Sequence, residues 1–165
     1  MEVLHAPWRI QYILGPRHSE AGDRSVFSAI AQSDDDLANL VICRGRASFA
    51  VLNSFPYNAG HVLVCPYRQV ADLPELTDAE TMEMQVLLRR VQGALRQVMH
   101  PDGFNIGLNL GKVAGAGITE HLHWHIVPRW NGDTNFMPVT GSTAVLPEAL
   151  VETAAKLRFA LTETP

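Results

Sequence analysis

HLHWHIVPRW, His121 to Trp130, alternates three histidines with apolar residues along one short run, and the reading of that run decides the fold. A period of two is the period of a β-strand. His121, His123 and His125 then share one face, while Leu122, Trp124 and Ile126 share the other. The apolar face suits packing beneath a helix, and the imidazole face suits the wall of a cleft. Three imidazoles buried in an ordinary core would need a partner for every ring nitrogen. Chance placement is therefore the weakest reading, behind a metal site and a catalytic site.

Upstream, Phe104–Asn109 reads as another strand, joined to the histidine run by the glycine-rich stretch Gly111-Lys-Val-Ala-Gly-Ala-Gly117. Before it, Thr77-Asp-Ala-Glu80 is a capping box that opens a long helix. Val86, Leu87, Val91, Ala94, Leu95 and Val98 recur at helical spacing and are expected on its buried stripe, with Arg89, Arg90, Arg96 and Gln97 toward water. The helix should end near His100, at its negative pole, before Pro101-Asp-Gly103. Earlier still, Leu40–Cys43, Ser48–Asn53 and His61–Pro66 read as an antiparallel meander broken at Arg44-Gly-Arg46 and Pro56–Gly60. Pro147–Leu161 carries Leu150, Val151, Ala154, Leu157 and Leu161 at helical spacing, with Pro147 suited to a first turn. Leu14–Ser25, with a solvated His18, and Ser33–Asp36 read as polar loops. Strands and helices are segregated, which indicates an α+β domain on an antiparallel sheet. The 165 residues suffice for one domain, with a core at about 26–137, an N-terminal arm at 1–25, and a C-terminal tail and helix at 138–165.

The bulk properties exclude several function classes. Hydrophobic content of 47% with 18% charged residues fits a globular chain. No apolar run approaches the roughly 20 residues of a membrane span. The N-terminus lacks a basic leader followed by an apolar stretch, so a cytoplasmic location is expected. Cys43 and Cys65 lie in strand-like apolar runs and read as reduced core residues. A net charge of −4 disfavours nucleic acid as a partner. An anionic ligand must then be small and held by local donors.

Two chemistries remain open for the histidines. Alternate histidines on a strand can converge on one zinc, although no fourth ligand is evident and carboxylates are scarce nearby. The neighbourhood favours phosphate instead. Three glycines between Gly111 and Gly117 let the backbone approach a ligand and turn N–H groups inward, and Lys112 adds charge. This is not a nucleotide P-loop, because Val113 follows Lys112 where a Ser or Thr would bind magnesium. A neutral imidazole, with an ordinary pKa near ~6.5, can attack phosphorus through one nitrogen while the other donates a hydrogen bond. Flanking histidines can hold the non-bridging oxygens or protonate the leaving group.

The run His121-Leu-His-Trp-His-Ile-Val127 resembles the signature of the histidine triad superfamily at every position. Leu4–Ile13, Leu52–His61 and His125–Met137 look like its bacterial branch, which includes diadenosine tetraphosphate phosphorylases. The resemblance implies a five-stranded antiparallel sheet with a long packed helix, doubled into a homodimer. It also implies a small-molecule substrate in which a nucleoside monophosphate is joined to a leaving group. By that likeness His123 is the nucleophile, His125 contacts the phosphate or leaving group, His121 orients the cluster, and His61 supports it from the neighbouring strand. Asn53 matches a ribose-binding position and Asn109 a position on the phosphate chain; without the likeness they read as a strand-end asparagine and a turn cap. Gly117 and Thr119, with backbone N–H groups of their loop, and Trp130 complete the expected nucleotide site.

Departures from the family pattern carry their own expectation. Many relatives hold a structural zinc with Cys-x-x-Cys and a later histidine, where this chain has Ser25-Val-Phe-Ser28 and Gln69. Hydroxyls and an amide are poor substitutes for thiolates, so no structural zinc and no tightly bound cofactor are expected. Magnesium is expected at most as a companion of the polyphosphate. The leading reading is nucleotidyl transfer on dinucleoside polyphosphates, with phosphate or water as acceptor. Hydrolysis of nucleoside phosphoramidates or adenylates, and a non-catalytic nucleotide-binding module, are the alternatives.

Overall fold

Val41–Arg44 (β1), Ser48–Leu52 (β2), Val62–Pro66 (β3), Gly103–Leu108 (β4) and Trp124–Arg129 (β5) pair antiparallel in the order β1-β2-β3-β5-β4. The computed structural model describes residues 24–137, 140 and 146–163. The Leu4–Ile13 stretch, His18, nearly all of the expected N-terminal arm and much of the 138–145 tail lie outside the described residues. Helices Val26–Gln32 (α1), Asp78–Met99 (α2) and Leu150–Glu163 (α3) accompany the sheet. The expected α+β architecture is present. Among the described residues no helix is long and apolar enough to cross a membrane.

Alternation along the strands sorts the side chains into two layers. Ile42, Ala50, Leu52, Val62, Val64, Leu122 and Ile126 face α2 and α3 in the larger core. Val41, Phe49, Val51, Leu63 and Cys65 face the other way and pack with Phe27 of α1. Cys43 and Cys65 are free thiols, and burial pushes the Cys43 thiol up to about 11.

The long helix begins as its sequence dictates. Thr77 caps the Glu80 N–H, Glu80 returns the bond to the Thr77 N–H at 2.8 Å, and the helix ends at His100 in the left-handed region. Its buried stripe is Met84, Leu87, Leu88, Val91, Ala94 and Leu95. This corrects the expectation for Val86, which is 39% exposed, and for Val98, which is only partly buried. The period was right but the stripe lies rotated toward Met84 and Leu88. In α3, Val151 is exposed while Thr153, Ala154, Leu157, Ala160 and Leu161 are buried, and Pro147 lies ahead of the helix instead of within its first turn.

The histidine run needs a similar correction. Strand β5 starts at Trp124, so only His125 of the three sits on regular strand. Strand β3 ends at Pro66, which has no N–H to extend the ladder, and the Leu122 N–H turns instead to the Val70 carbonyl at 2.7 Å. The facing pattern nonetheless persists: Leu122 joins the α2 core, and His121 and His123 meet Phe27 on the other side.

Helix α1 is too short for periodicity to announce it. Arg44 docks it by donating to the carbonyls of Ile30, Ala31 and Ser33 while pairing with Asp36 at 2.7 Å. Asp36 makes this pair from the loop that the run Ser33–Asp36 suggested, with its side chain still 41% exposed. Docking of α1 sets Ser25 and Phe27 against the histidines.

Candidate active site

Four histidines gather on the α1 side of the sheet. His61 and His121 are fully buried, and His123 is 6% exposed. Ring centroids lie 4.9 Å apart for His123 and His125 and 5.1 Å apart for His61 and His125. Phe27 packs against His121 and His123, and Tyr57 stacks over His125 at 5.7 Å.

The hydrogen bonds assign a tautomer to every ring, because backbone carbonyls only accept and backbone N–H groups only donate. The Tyr57 N–H donates to His61 Nδ1 at 3.1 Å, so His61 carries its proton on Nε2. That proton points to His125 Nδ1 at 2.9 Å, which leaves the His125 proton on Nε2. His121 Nε2 lies 2.9 Å from the Pro66 carbonyl and must donate, so its Nδ1 accepts from the Ser25 hydroxyl at 2.6 Å. His123 Nδ1 lies 2.8 Å from the His121 carbonyl and must also donate. The lone pair of His123 therefore sits on Nε2. One ring carries its lone pair on Nε2 and its neighbour carries its proton there.

Burial pushes the His121 and His123 imidazoles below their ordinary value, more strongly than the carbonyls of Pro66 and His121 pull the other way. Both rings are neutral at neutral pH, as an imidazole nucleophile requires. Among the described residues no three His, Cys, Asp or Glu side chains converge as a metal-binding group. Both nitrogens of His61 and of His121 are already committed to hydrogen bonds.

The other expected site residues divide. Asn53 follows β2 and takes part in supporting His61: its Nδ2 lies 3.3 Å from His61 Nδ1, and its Oδ1 accepts from the Phe55 N–H. Asn109 follows β4, whose register pairs Gly107 with His125 and Leu108 with Trp124; continued by one residue, it sets Asn109 opposite His123. Gly107 leaves room there, since a Cβ on it would meet nothing within 4 Å. Gly117 and Thr119 are exposed, and the Thr119 hydroxyl bonds Glu120. The N–H groups of Ala114, Gly115 and Ala116 close the glycine loop on itself through the Gly111 and Lys112 carbonyls, so they do not form the inward-facing nest that the glycines suggested. Trp130 lies away from the histidines: its indole donates to the Met99 carbonyl and lines a cavity of about 500 Å³ with Asn58, Asp133 and Lys156, which no histidine lines.

Ser25, Ser28 and Gln69 stand where many relatives were expected to hold zinc, and their side chains meet beside His121. They do not fit that metal. Tetrahedral zinc ligands at 2.0–2.3 Å stand roughly 3.3–3.8 Å from one another. Ser25 Oγ and His121 Nδ1 are 2.6 Å apart, and Ser28 Oγ and Gln69 Oε1 are 2.8 Å apart, as hydrogen-bonded pairs are. Sequence reasoning noticed these residues only as missing ligands. It missed Phe27 and Tyr57, whose apolar rings carry no chemical signature.

Comparison with known proteins agrees with this geometry. A family profile described as "HIT domain" matches residues 36–132. The chain is 40% identical over 158 residues to "AP-4-A phosphorylase" of Mycobacterium tuberculosis H37Rv, covering 93% of this chain and 80% of that protein. It is 38% identical over 93 residues to "Bis(5'-nucleosyl)-tetraphosphatase [asymmetrical]" of Schizosaccharomyces pombe, covering 56% of this chain and 50% of that one. Among solved structures, a zinc-bound histidine triad family protein from Mycobacterium smegmatis matches with a TM-score of 0.67 at 30% identity, over 84% of this chain and 93% of that one.

Proposed function

The chain belongs to the histidine triad (HIT) family, and from that membership we propose that it cleaves dinucleoside polyphosphates by way of a nucleotide carried on His123. The observation that carries this reading is the bond from His123 Nδ1–H to the His121 carbonyl, which turns an unprotonated Nε2 outward. Nε2 attacks the α-phosphorus as the bond to the bridging oxygen breaks, and the nucleoside monophosphate becomes joined to the ring as a phosphoramidate. The developing positive charge is spread onto Nδ1–H and the carbonyl that accepts from it. In this reading His125, its ring oriented by His61 through the 2.9 Å bond between them, gives its Nε2–H to the leaving phosphate oxygen. An acceptor then displaces Nε2 and restores the neutral ring. Orthophosphate as acceptor yields a nucleoside diphosphate, and water yields a monophosphate. The continued register that sets Asn109 opposite His123 supports a role for it on the phosphate chain.

Incubation with diadenosine tetraphosphate, with and without phosphate, tests the reading. Adenosine diphosphate formed only when phosphate is present identifies a phosphorylase, in keeping with the relative that covers 93% of the chain. Turnover of an adenosine phosphoramidate in preference to the tetraphosphate would contradict it. The reading includes a homodimer built across β4, an edge strand on which Ile106 is 44% exposed. Sedimentation that finds a monomer at micromolar concentration would remove that element alone.

A further inference from the structure

Behind the triad lies a set of hydrogen bonds that the reaction does not itself use. Ser25 and Ser28 are 3% and 8% exposed, and His121 is fully buried. His121 Nδ1 is an acceptor, so the proton on Ser25 Oγ points to it. Ser25 Oγ then accepts from the Ser28 N–H at 3.1 Å, as the N-cap of α1. The Ser28 hydroxyl gives its one proton to Gln69 Oε1 at 2.8 Å, and the same oxygen accepts from the Ser25 N–H at 2.9 Å. Each hydroxyl proton and both lone pairs of the amide oxygen are accounted for.

We propose that Ser25, braced by Ser28 and Gln69, is a metal-free positioning residue for the triad: its hydroxyl locks His121 as the Nε2–H tautomer, and His121 in turn presents the carbonyl that holds His123. The physical chain has three links. The Ser25 bond at 2.6 Å fixes the His121 ring, the ring fixes itself to the Pro66 carbonyl, and the backbone oxygen of the same residue fixes the nucleophile. Helix α1, docked by Arg44, carries Ser25 and Phe27 together, so one element positions both the polar and the apolar contacts of His121. A structural ion would do the same work by coordination; here a hydroxyl does it, and the amide behind it replaces the rest of a ligand shell. The consequence for activity rests on the function proposed above.

The test compares the full-length protein with Ser25→Gly and Ser25→Thr. Glycine is nearly as good an N-cap as serine, so Ser25→Gly removes the hydroxyl while sparing α1, and Ser25→Thr keeps it. Nitrogen-15 imidazole spectra should report His121 as the Nε2–H tautomer in the parent and in Ser25→Thr, and a mixture in Ser25→Gly. For the parent reaction, Ser25→Gly should lower kcat about 10- to 100-fold with KM within about twofold, on the scale set by outer partners of metal-bound imidazoles. Ser25→Thr should restore it. Gln69→Leu, which leaves the cap hydroxyl in place, should shift kcat in the same direction and serves if Ser25→Gly does not fold. An unchanged tautomer with unchanged kcat in Ser25→Gly overturns the proposal. So does one zinc per chain in the purified protein whose removal reproduces the Ser25→Gly behaviour. A parent protein that turns over no dinucleoside polyphosphate sinks the reaction and leaves the tautomer spectra to judge the positioning role.

Discussion

Mild acid should loosen this protein well before its carboxylates titrate. His121 and His123 are held neutral in the fold with their ring affinities for protons depressed by burial, whereas the unfolded chain gains protons near the ordinary value of ~6.5. Below that pH the unfolded state binds more protons than the native one, so stability is complete above it and is lost as pH falls toward the folded values. For one such ring the loss between pH 7.0 and pH 5.5 is the difference between RT ln(1 + 10^1.0) and RT ln(1 + 10^−0.5), about 1.3 kcal/mol while the folded ring stays neutral. Two rings cost at most about 2.5 kcal/mol, the bound reached when both stay neutral, against the ~5–15 kcal/mol typical of a domain. The local slope can reach about 2.7 kcal/mol per pH unit for a difference of two protons. Glu80 and Asp133, held down to about 2 by Arg68 and Arg129, act in a separate, more acidic window that runs from the usual carboxylate values down to about 2. Urea unfolding at a series of pH values between 7.5 and 5.0 measures the slope, and His121→Gln or His123→Gln should each remove about one proton from it. A flat profile over that range, or a slope that neither substitution reduces, refutes the claim that these rings are buried neutral.

Three further outcomes follow from the contacts. His61→Leu should lower kcat about 10- to 100-fold with little change in KM, because His125 loses the partner that orients its ring; steady-state kinetics check this, and equal loss in KM alone would argue against it. Arg44→Ala should destabilise the fold by about 1–3 kcal/mol in urea and lower kcat as well, since three carbonyls around the end of α1 lose their donor and Ser25 and Phe27 ride on that helix. Thr77→Ala should cost about 1 kcal/mol through loss of the helix cap and leave kcat unchanged, which makes it the control for stability effects.

The sequence disclosed its periodic and chemically marked features. The alternation of His121–Val127, the capping box at Thr77 and the three-strand meander all stand in the fold, because each rests on local backbone physics. Features set by tertiary packing were less legible. Val86 and Leu88 are both apolar, and only the sheet decides which one faces it. Strand β5 began later than the alternation suggested because Pro66 ends its partner. The four histidines were legible as chemistry, but their tautomers depend on carbonyls and N–H groups that lie far along the chain, such as Pro66 for His121. Ser25, Ser28 and Gln69 were visible only as departures from a zinc pattern. Their mutual bonds span more than 40 positions of sequence, which no local pattern records. Trp130 follows the triad closely in sequence, yet its indole bonds the Met99 carbonyl at the end of α2, a long-range contact that no local pattern records.

The central claim is that His123 Nε2 bonds to phosphorus. Rapid quenching of a reaction on diadenosine tetraphosphate into base, where a phosphoramidate survives, followed by mass spectrometry of the His121–Arg129 peptide, tests it most directly. The account predicts an adenylate on His123 that forms before product and disappears on addition of acceptor. Consumption of substrate with no adduct at any histidine, or with the nucleotide on His125 in place of His123, would contradict it.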